Sequence, residues 1–237
     1  MKKSLRAIRK SREQHSKVGA LFREFILGGQ DGLVNVLGIL LGMAIATQNS
    51  KLVIIAGLAA AFAESFSMAA VAYTSVKAEE DFYKSQEQKE LCEIKESPES
   101  EKEEIYNIYH KKGFRGKILN DIVNHITSNK KIWVNMMMKE ELGMSNEFIS
   151  PLKSMIVVGM ATIIGSIIPL LSFFFFPITT AIYLALIISA IALFVAGAIE
   201  GKFTVGHWVK KGFQLMIIGM VAAGIGFLVG KVLGVSL

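Results

Sequence analysis

Two pairs of residues could do chemistry inside apolar segments. Asp31 and Asn35 stand four apart in LGGQDGLVNVLGILLGMAIA (residues 27–46), and Glu64 and Met68 stand four apart in AESFSMAAVAY (residues 63–73). A spacing of four puts each pair on one face of a helix. A carboxylate in such surroundings is costly to keep unless a partner, a proton or a cation offsets its charge. The two pairs also match in depth. Asp31 lies 18 residues before a hairpin midpoint at Asn49 and Met68 lies 19 after it; Asn35 and Glu64 lie 14 before and 15 after. On antiparallel helices of equal pitch the four side chains form one patch. Carboxylates are hard oxygen ligands and proton carriers, whereas a thioether is soft. The mixture suits a divalent first-row transition ion better than Mg²⁺ or Ca²⁺, which prefer oxygen alone. Packing by Met68 and helix–helix hydrogen bonding by Asn35 remain open as blander roles.

A second constellation lies in KELCEIKESPESEKEEIY, where Glu90 and Glu93 precede Pro98, and Glu101 and Glu104 follow it. Carboxylates three apart on a helix repel unless cations compensate, and Pro98 can turn the two pairs toward each other. Spacing alone favours a solvated, charge-rich face with Lys84, Lys89, Lys95 and Lys102 interleaved. Beyond it, WVNMMMKEELGM offers Met137 and Glu141 at i,i+4, flanked by Met138 and Glu140, as exposed thioethers beside acids. No Glu-x-x-His pair of the di-iron type accompanies them. His15, His110, His125 and His207 are scattered and none is expected to be a ligand. Cys92 has no cysteine partner within the chain.

The elements that must position these residues are five apolar stretches, about 26–47, 52–76, 154–176, 178–199 and 213–234, each long enough to cross a bilayer as a helix. TQNSK (47–51) makes the first two a tight hairpin. Pro177 divides the third from the fourth, and Pro169 lies within the third. Between spans two and three, three short helices are expected: 77–96 continuing the second span, about 99–112, and about 117–142 with a break near Ser128–Asn129. The expected fold is an all-α membrane protein, five transmembrane helices with a small helical cytosolic domain inserted between spans two and three. Its parts are a basic cytosolic N-terminal segment (1–25), the hairpin of spans one and two (26–76), a cytosolic acidic helical metal-binding domain (77–150) and spans three to five (151–237).

Composition agrees. The 237 residues are 52% hydrophobic with mean hydropathy +0.45, too apolar for an ordinary soluble domain. The net charge of +6 is concentrated: eight Lys or Arg lie in the first 24 residues, before the first span. That distribution fits the positive-inside pattern and an anionic lipid surface, and argues against nucleic acid. The basic N-terminus and residues 77–153 are placed in the cytosol, the turn carrying only Lys51 outside, the loop 200–211 inside and the C-terminus outside. No secretory signal is expected. Fifteen of the chain's twenty acidic residues fall between Lys77 and Ser150. Small residues recur at GxxxG spacing in Gly28–Gly32, Gly38–Gly42 and Gly226–Gly230–Gly234, which permits close helix approach within one subunit or between two.

From Arg23 onward the chain resembles the vacuolar iron transporter family. The likeness rests on GGQDGLVNVLGILLGMA, AESFSMAAVAYTSVKAEEDFY, the acidic pairs flanking Pro98, MMMKEELGM and the loop between spans four and five, taken in that order and spacing. The resemblance implies a homodimeric, five-span exporter of Fe²⁺ from the cytosol that exchanges the ion for protons and is not an enzyme. It carries translocation onto Asp31 and Met68, cytosolic metal binding onto Glu90, Glu93, Glu101, Glu104, Met137 and Glu141, and a pathway entrance onto Glu24. Where family members often have a glutamate in span two, this chain has Ala60, with Glu64 one turn nearer Met68. Mn²⁺, Co²⁺ and Zn²⁺ share ligand preferences with Fe²⁺. The alternatives are a membrane-tethered metal sensor or store without transport, and an intramembrane enzyme using Asp31 and Glu64 as an acid–base pair. The membrane is the cell membrane in a prokaryote and the vacuolar membrane in a eukaryote.

Overall fold

The computed structural model describes residues 2–203 and 206–234, with side chains described for residues 18–203 and 206–232. Among the described residues all regular structure is helical: α1 Lys2–Thr47, α2 Ser50–Glu96, α3 Pro98–Lys111, α4 Gly116–Thr127, α5 Lys130–Glu140, α6 Pro151–Phe175, α7 Ile178–Phe203 and α8 Trp208–Gly234. Five of these carry stretches long and apolar enough to cross a membrane: α1 from Val18, α2, α6, α7 and α8 through Val232. The chain divides into two compact units, residues 1–74 with 149–237, and residues 75–148.

In the first unit the hairpin forms where expected. Thr47 Oγ1 donates to the Met43 carbonyl at 2.7 Å, Gln48 takes a positive φ of 50°, and Asn49 Oδ1 accepts the amides of Lys51 and Leu52 at 3.0 and 3.3 Å. The capping side chain satisfies donors that would otherwise be orphaned at the start of α2. α1 packs directly on α6, α7 and α8 and approaches α2 less closely. Its buried Val36, Leu37, Leu40 and Leu41 meet Val53, Ala61, Leu170, Phe173, Ala181, Ala185 and Ala223 in one core.

The small residues make that packing possible. A Cβ at Gly28 would lie 2.8 Å from the Val158 carbonyl, and one at Gly226 would lie 2.7 Å from that of Gly38. Gly28 and Gly32 thus seat α6, while Gly38 and Gly42 seat Gly226 and Gly230 of α8. These GxxxG spacings serve contacts within the chain; the surroundings of Gly234 lie outside the described residues. Pro169 is accommodated inside α6. The connection expected over 200–211 is shorter, because α7 continues to Phe203 and α8 begins at Trp208. Lys211 Nζ and Glu200 Oε1 lie 3.1 Å apart across it, so the polar residues are absorbed into helix ends.

The second unit contains the distal part of α2 with α3, α4 and α5. Pro98 occupies the first turn of α3, where its missing amide hydrogen costs nothing. The break near Ser128–Asn129 is present: Asn129 caps α5, accepting from Lys131 and Ile132 amides at 3.0 and 3.3 Å. Ile94, Ile105, Leu119, Val123, Ile126, Trp133, Val134, Met137 and Met138 form its own core. On the first two helices of this unit a glutamate precedes a core isoleucine by one turn, Glu90 before Ile94 and Glu101 before Ile105.

Candidate functional site

α1 and α2 bring Asp31, Asn35 and Glu64 together. The Asn35 side-chain amide donates to Asp31 Oδ1 at 3.2 Å and also to Glu64 Oε1. One nitrogen therefore divides its two hydrogens between two carboxyls, one per helix. The Asp31 and Glu64 carboxyls themselves lie within interaction distance. Asp31 and Glu64 are half-buried and Asn35 is exposed, so the patch reaches the surface of its unit. Two acids this close, in surroundings that solvate charge poorly, favour a proton or a cation between them. The Asn35 amide oxygen supplies a further hard donor. Met68, also half-buried, follows Glu64 by one helical turn on the same face.

Glu24, one turn before the Gly28 contact, accepts a hydrogen bond from Ser154 Oγ at 2.8 Å, while its other carboxylate oxygen is buried without a partner. Ser154 is wholly buried on α6 and was absent from the residues picked out by spacing. The two lie 130 residues apart, and a lone serine in an apolar helix carries no local signal.

In the second unit the acidic pairs depart from the solvated face that spacing favoured. Glu90 is 3% exposed and Glu101 7%, and each has one buried oxygen without a hydrogen-bond partner. The cause is their register: one turn ahead of core isoleucines, both point inward. Glu93 and Glu104 act on both through their charge, and Glu141 is within hydrogen-bonding reach of Glu104. Burial first, then the charges of Glu104, Glu90 and Glu93, push the Glu101 carboxyl up to about 7. Loss of solvent first, then Glu104, Glu90 and Glu101, raise Glu141 to about 7. Burial and the neighbouring Glu93 and Glu104 raise Glu90 as well. The near cation is Lys89, whose Nζ sits 3.4 Å from Glu93 Oε1. Five carboxyls thus share one neighbourhood with little counter-charge.

The methionines correct the expectation of exposed thioethers. Met137 and Met138 are fully buried in the apolar core, because α5 turns its sulfur-bearing face inward. Met136 is partly buried and accepts the Tyr109 hydroxyl at 3.2 Å. Glu140 pairs instead with Lys112. Among the described residues no three His, Cys, Asp or Glu side chains already stand as a metal-holding group. The acidic neighbourhood is one of charge and burial, not a finished coordination shell.

Residues 22–231 match the family model described as the VIT family. The chain is 32% identical to vacuolar iron transporter 1 of Tulipa gesneriana over 92% of its own length and 90% of that protein. It is 31% identical to vacuolar iron transporter 1 of Arabidopsis thaliana, covering 93% and 89%, and 29% identical to the vacuolar iron transporter of Plasmodium falciparum, covering 93% and 85%.

Proposed function

The chain belongs to the VIT family, and from that premise we propose that it moves Fe²⁺ out of the cytosol in exchange for protons. The observation that carries this reading is the Asn35 amide shared between Asp31 and Glu64, two acids on adjoining membrane-spanning helices. With the ion absent, a proton stabilises the pair; with the ion present, the proton leaves and the carboxylates become ligands. Met68 adds a soft donor one turn along, and Glu24 guards the entrance of the path. Few protein ligands plus water hold an ion weakly enough to release it. Glu64 takes the role of the family glutamate expected at Ala60.

Residues 77–150 act as the cytosolic collector. Glu90, Glu93, Glu101, Glu104 and Glu141 capture the ion, whose charge relieves their mutual repulsion. The basic N-terminal segment lies on the same side, the C-terminus lies opposite, and two copies make the working transporter.

Reconstitution in sealed proteoliposomes tests the proposal. Fe²⁺ should cross the bilayer faster with an opposing proton gradient, and Mn²⁺, Co²⁺ and Zn²⁺ offered in parallel rank its selectivity. Ions bound by the protein but never delivered into the lumen would instead establish a tethered sensor or store.

A further inference from the structure

A groove of about 320 Å³ lies in the membrane-spanning unit between α1, α6 and α7, on the side of α1 that meets α6 and α7 and not α2. Its lining is apolar apart from Gln30 and includes Phe22, Ile26, Leu33, Ile168 and Ala196. Ala192 and Ala196 keep the α7 wall of the groove short, while Gly29 and Gly165 bring α1 and α6 into backbone contact beside it. A second groove shares Val195 and Ile199 with the first and adds Lys202 and Trp208.

At one end the rings of Phe22 and Phe203 meet edge-on at 4.8 Å, and each is followed or preceded by an exposed cation, Arg23 and Lys202. Lys153 lies at the same end of α6, next to the Ser154 that binds Glu24. The acids nearby are engaged, Glu24 with Ser154 and Glu200 with Lys211. Among the described residues no carboxylate forms an ion pair with Arg23, Lys153 or Lys202. A tryptophan and snorkelling cations at the end of an apolar groove are what the headgroup layer of a bilayer selects.

We propose that this groove is a binding site for an anionic phospholipid, one acyl chain lying between α1, α6 and α7 and the phosphate resting against Arg23 and Lys202. The hydrocarbon supplies affinity for any phospholipid, and the cations supply preference for negative headgroups, each contributing about fivefold. The site is separate from the Asp31–Asn35–Glu64 patch, so lipid occupancy and ion movement can be read apart.

Native mass spectrometry of the delipidated full chain, titrated with phosphatidylglycerol or phosphatidylcholine, tests the site. Wild type should retain one phosphatidylglycerol at least tenfold better than phosphatidylcholine. In the double variant R23Q/K202Q that preference should fall below about twofold with phosphatidylcholine retention unchanged. Ala196→Phe and, separately, Ala192→Phe should displace both lipids by filling the groove. Equal retention of the two lipids by wild type, or undiminished retention in a monodisperse groove-filling variant, overturns the proposal. So does loss of self-association without loss of lipid, which would make the groove a contact between copies of the chain. Should either filling variant fail to fold, the other and the charge variant still decide.

Discussion

Glu64 on α2 accepts a hydrogen bond from the Asn35 amide on α1, across 29 residues of sequence and between two helices whose backbones approach less closely than those of α1 and α6. The same nitrogen holds Asp31 at 3.2 Å. Asn35 therefore orients both acids, and its removal should leave two carboxyls facing each other without a donor. Asn35→Leu is expected to lower Fe²⁺ flux about 10–100-fold, the usual cost of losing a residue that orients ligands, while the protein still inserts and elutes as wild type. Initial rates in proteoliposomes check this; wild-type flux would reduce Asn35 to helix packing.

The two acids should separate in their effects. Asp31→Ala removes a charge carrier and is expected to bring flux to the protein-free background without unfolding the chain. Glu64→Gln keeps an acceptor for Asn35 but cannot exchange a proton. It should retain ion binding and lose most of the stimulation by a pH gradient. Flux measured with and without the gradient distinguishes the two. A Glu64→Gln protein that responds to the gradient like wild type would move proton exchange elsewhere.

The hairpin patch was legible because its logic is periodic. A spacing of four fixes a helix face, and equal distances from a capped turn fix depth, so the sequence alone pairs Asn35 with Glu64. The break before α5 was legible for a similar local reason, since Asn129 is an N-cap. Burial within the acidic unit was not. Whether Glu90 faces water or a core depends on the packing around Ile94, one turn along α2, and that core is completed by residues of α3, α4 and α5 far off in sequence. Helical spacing likewise gave Met137 and Met138 no direction, because a methionine suits a core as well as a metal. The Ser154–Glu24 bond joins residues with no pattern linking them.

The acidic unit should respond to pH in a defined direction. Glu101 and Glu141 are raised from 4.5 to about 7 in the folded chain. Between those values the folded unit holds protons that an unfolded chain has released, so stability falls as pH rises through that window. With Trp208 replaced by Phe, Trp133 reports this unit, and its urea midpoint without metal should be lower at pH 8 than at pH 5.5. A divalent ion should reverse the trend and release protons on binding, seen by calorimetry in buffers of different ionisation enthalpy. Replacing Glu90, Glu93, Glu101 and Glu104 together by Gln should reduce the pH trend to the part that Glu141 keeps through its loss of solvent, and weaken ion capture. Unchanged binding in that variant would take the collector role away from these residues.

Two glycines on α8 offer a test of the scaffold that holds α1, and so Asp31 and Asn35, in place. A Cβ at Gly226 would lie 2.7 Å from the Gly38 carbonyl oxygen and 2.8 Å from its Cα. Backbone cannot swing aside as a side chain can, so α1 and α8 must part. At Gly224, two residues earlier on the same helix, nothing lies within 4 Å. Gly226→Ala should therefore destabilise the protein by about 1–3 kcal/mol through overpacking. Gly224→Ala should be neutral or stabilising by up to about 1 kcal/mol, because alanine is the better helix former. Thermal melts in one detergent read both. Because α1 carries two of the three residues of the polar patch, Gly226→Ala should also slow Fe²⁺ flux more than Gly224→Ala does at equal protein loading. If the two variants prove equivalent in stability and flux, the close approach of α1 and α8 does not govern the geometry of the ion path.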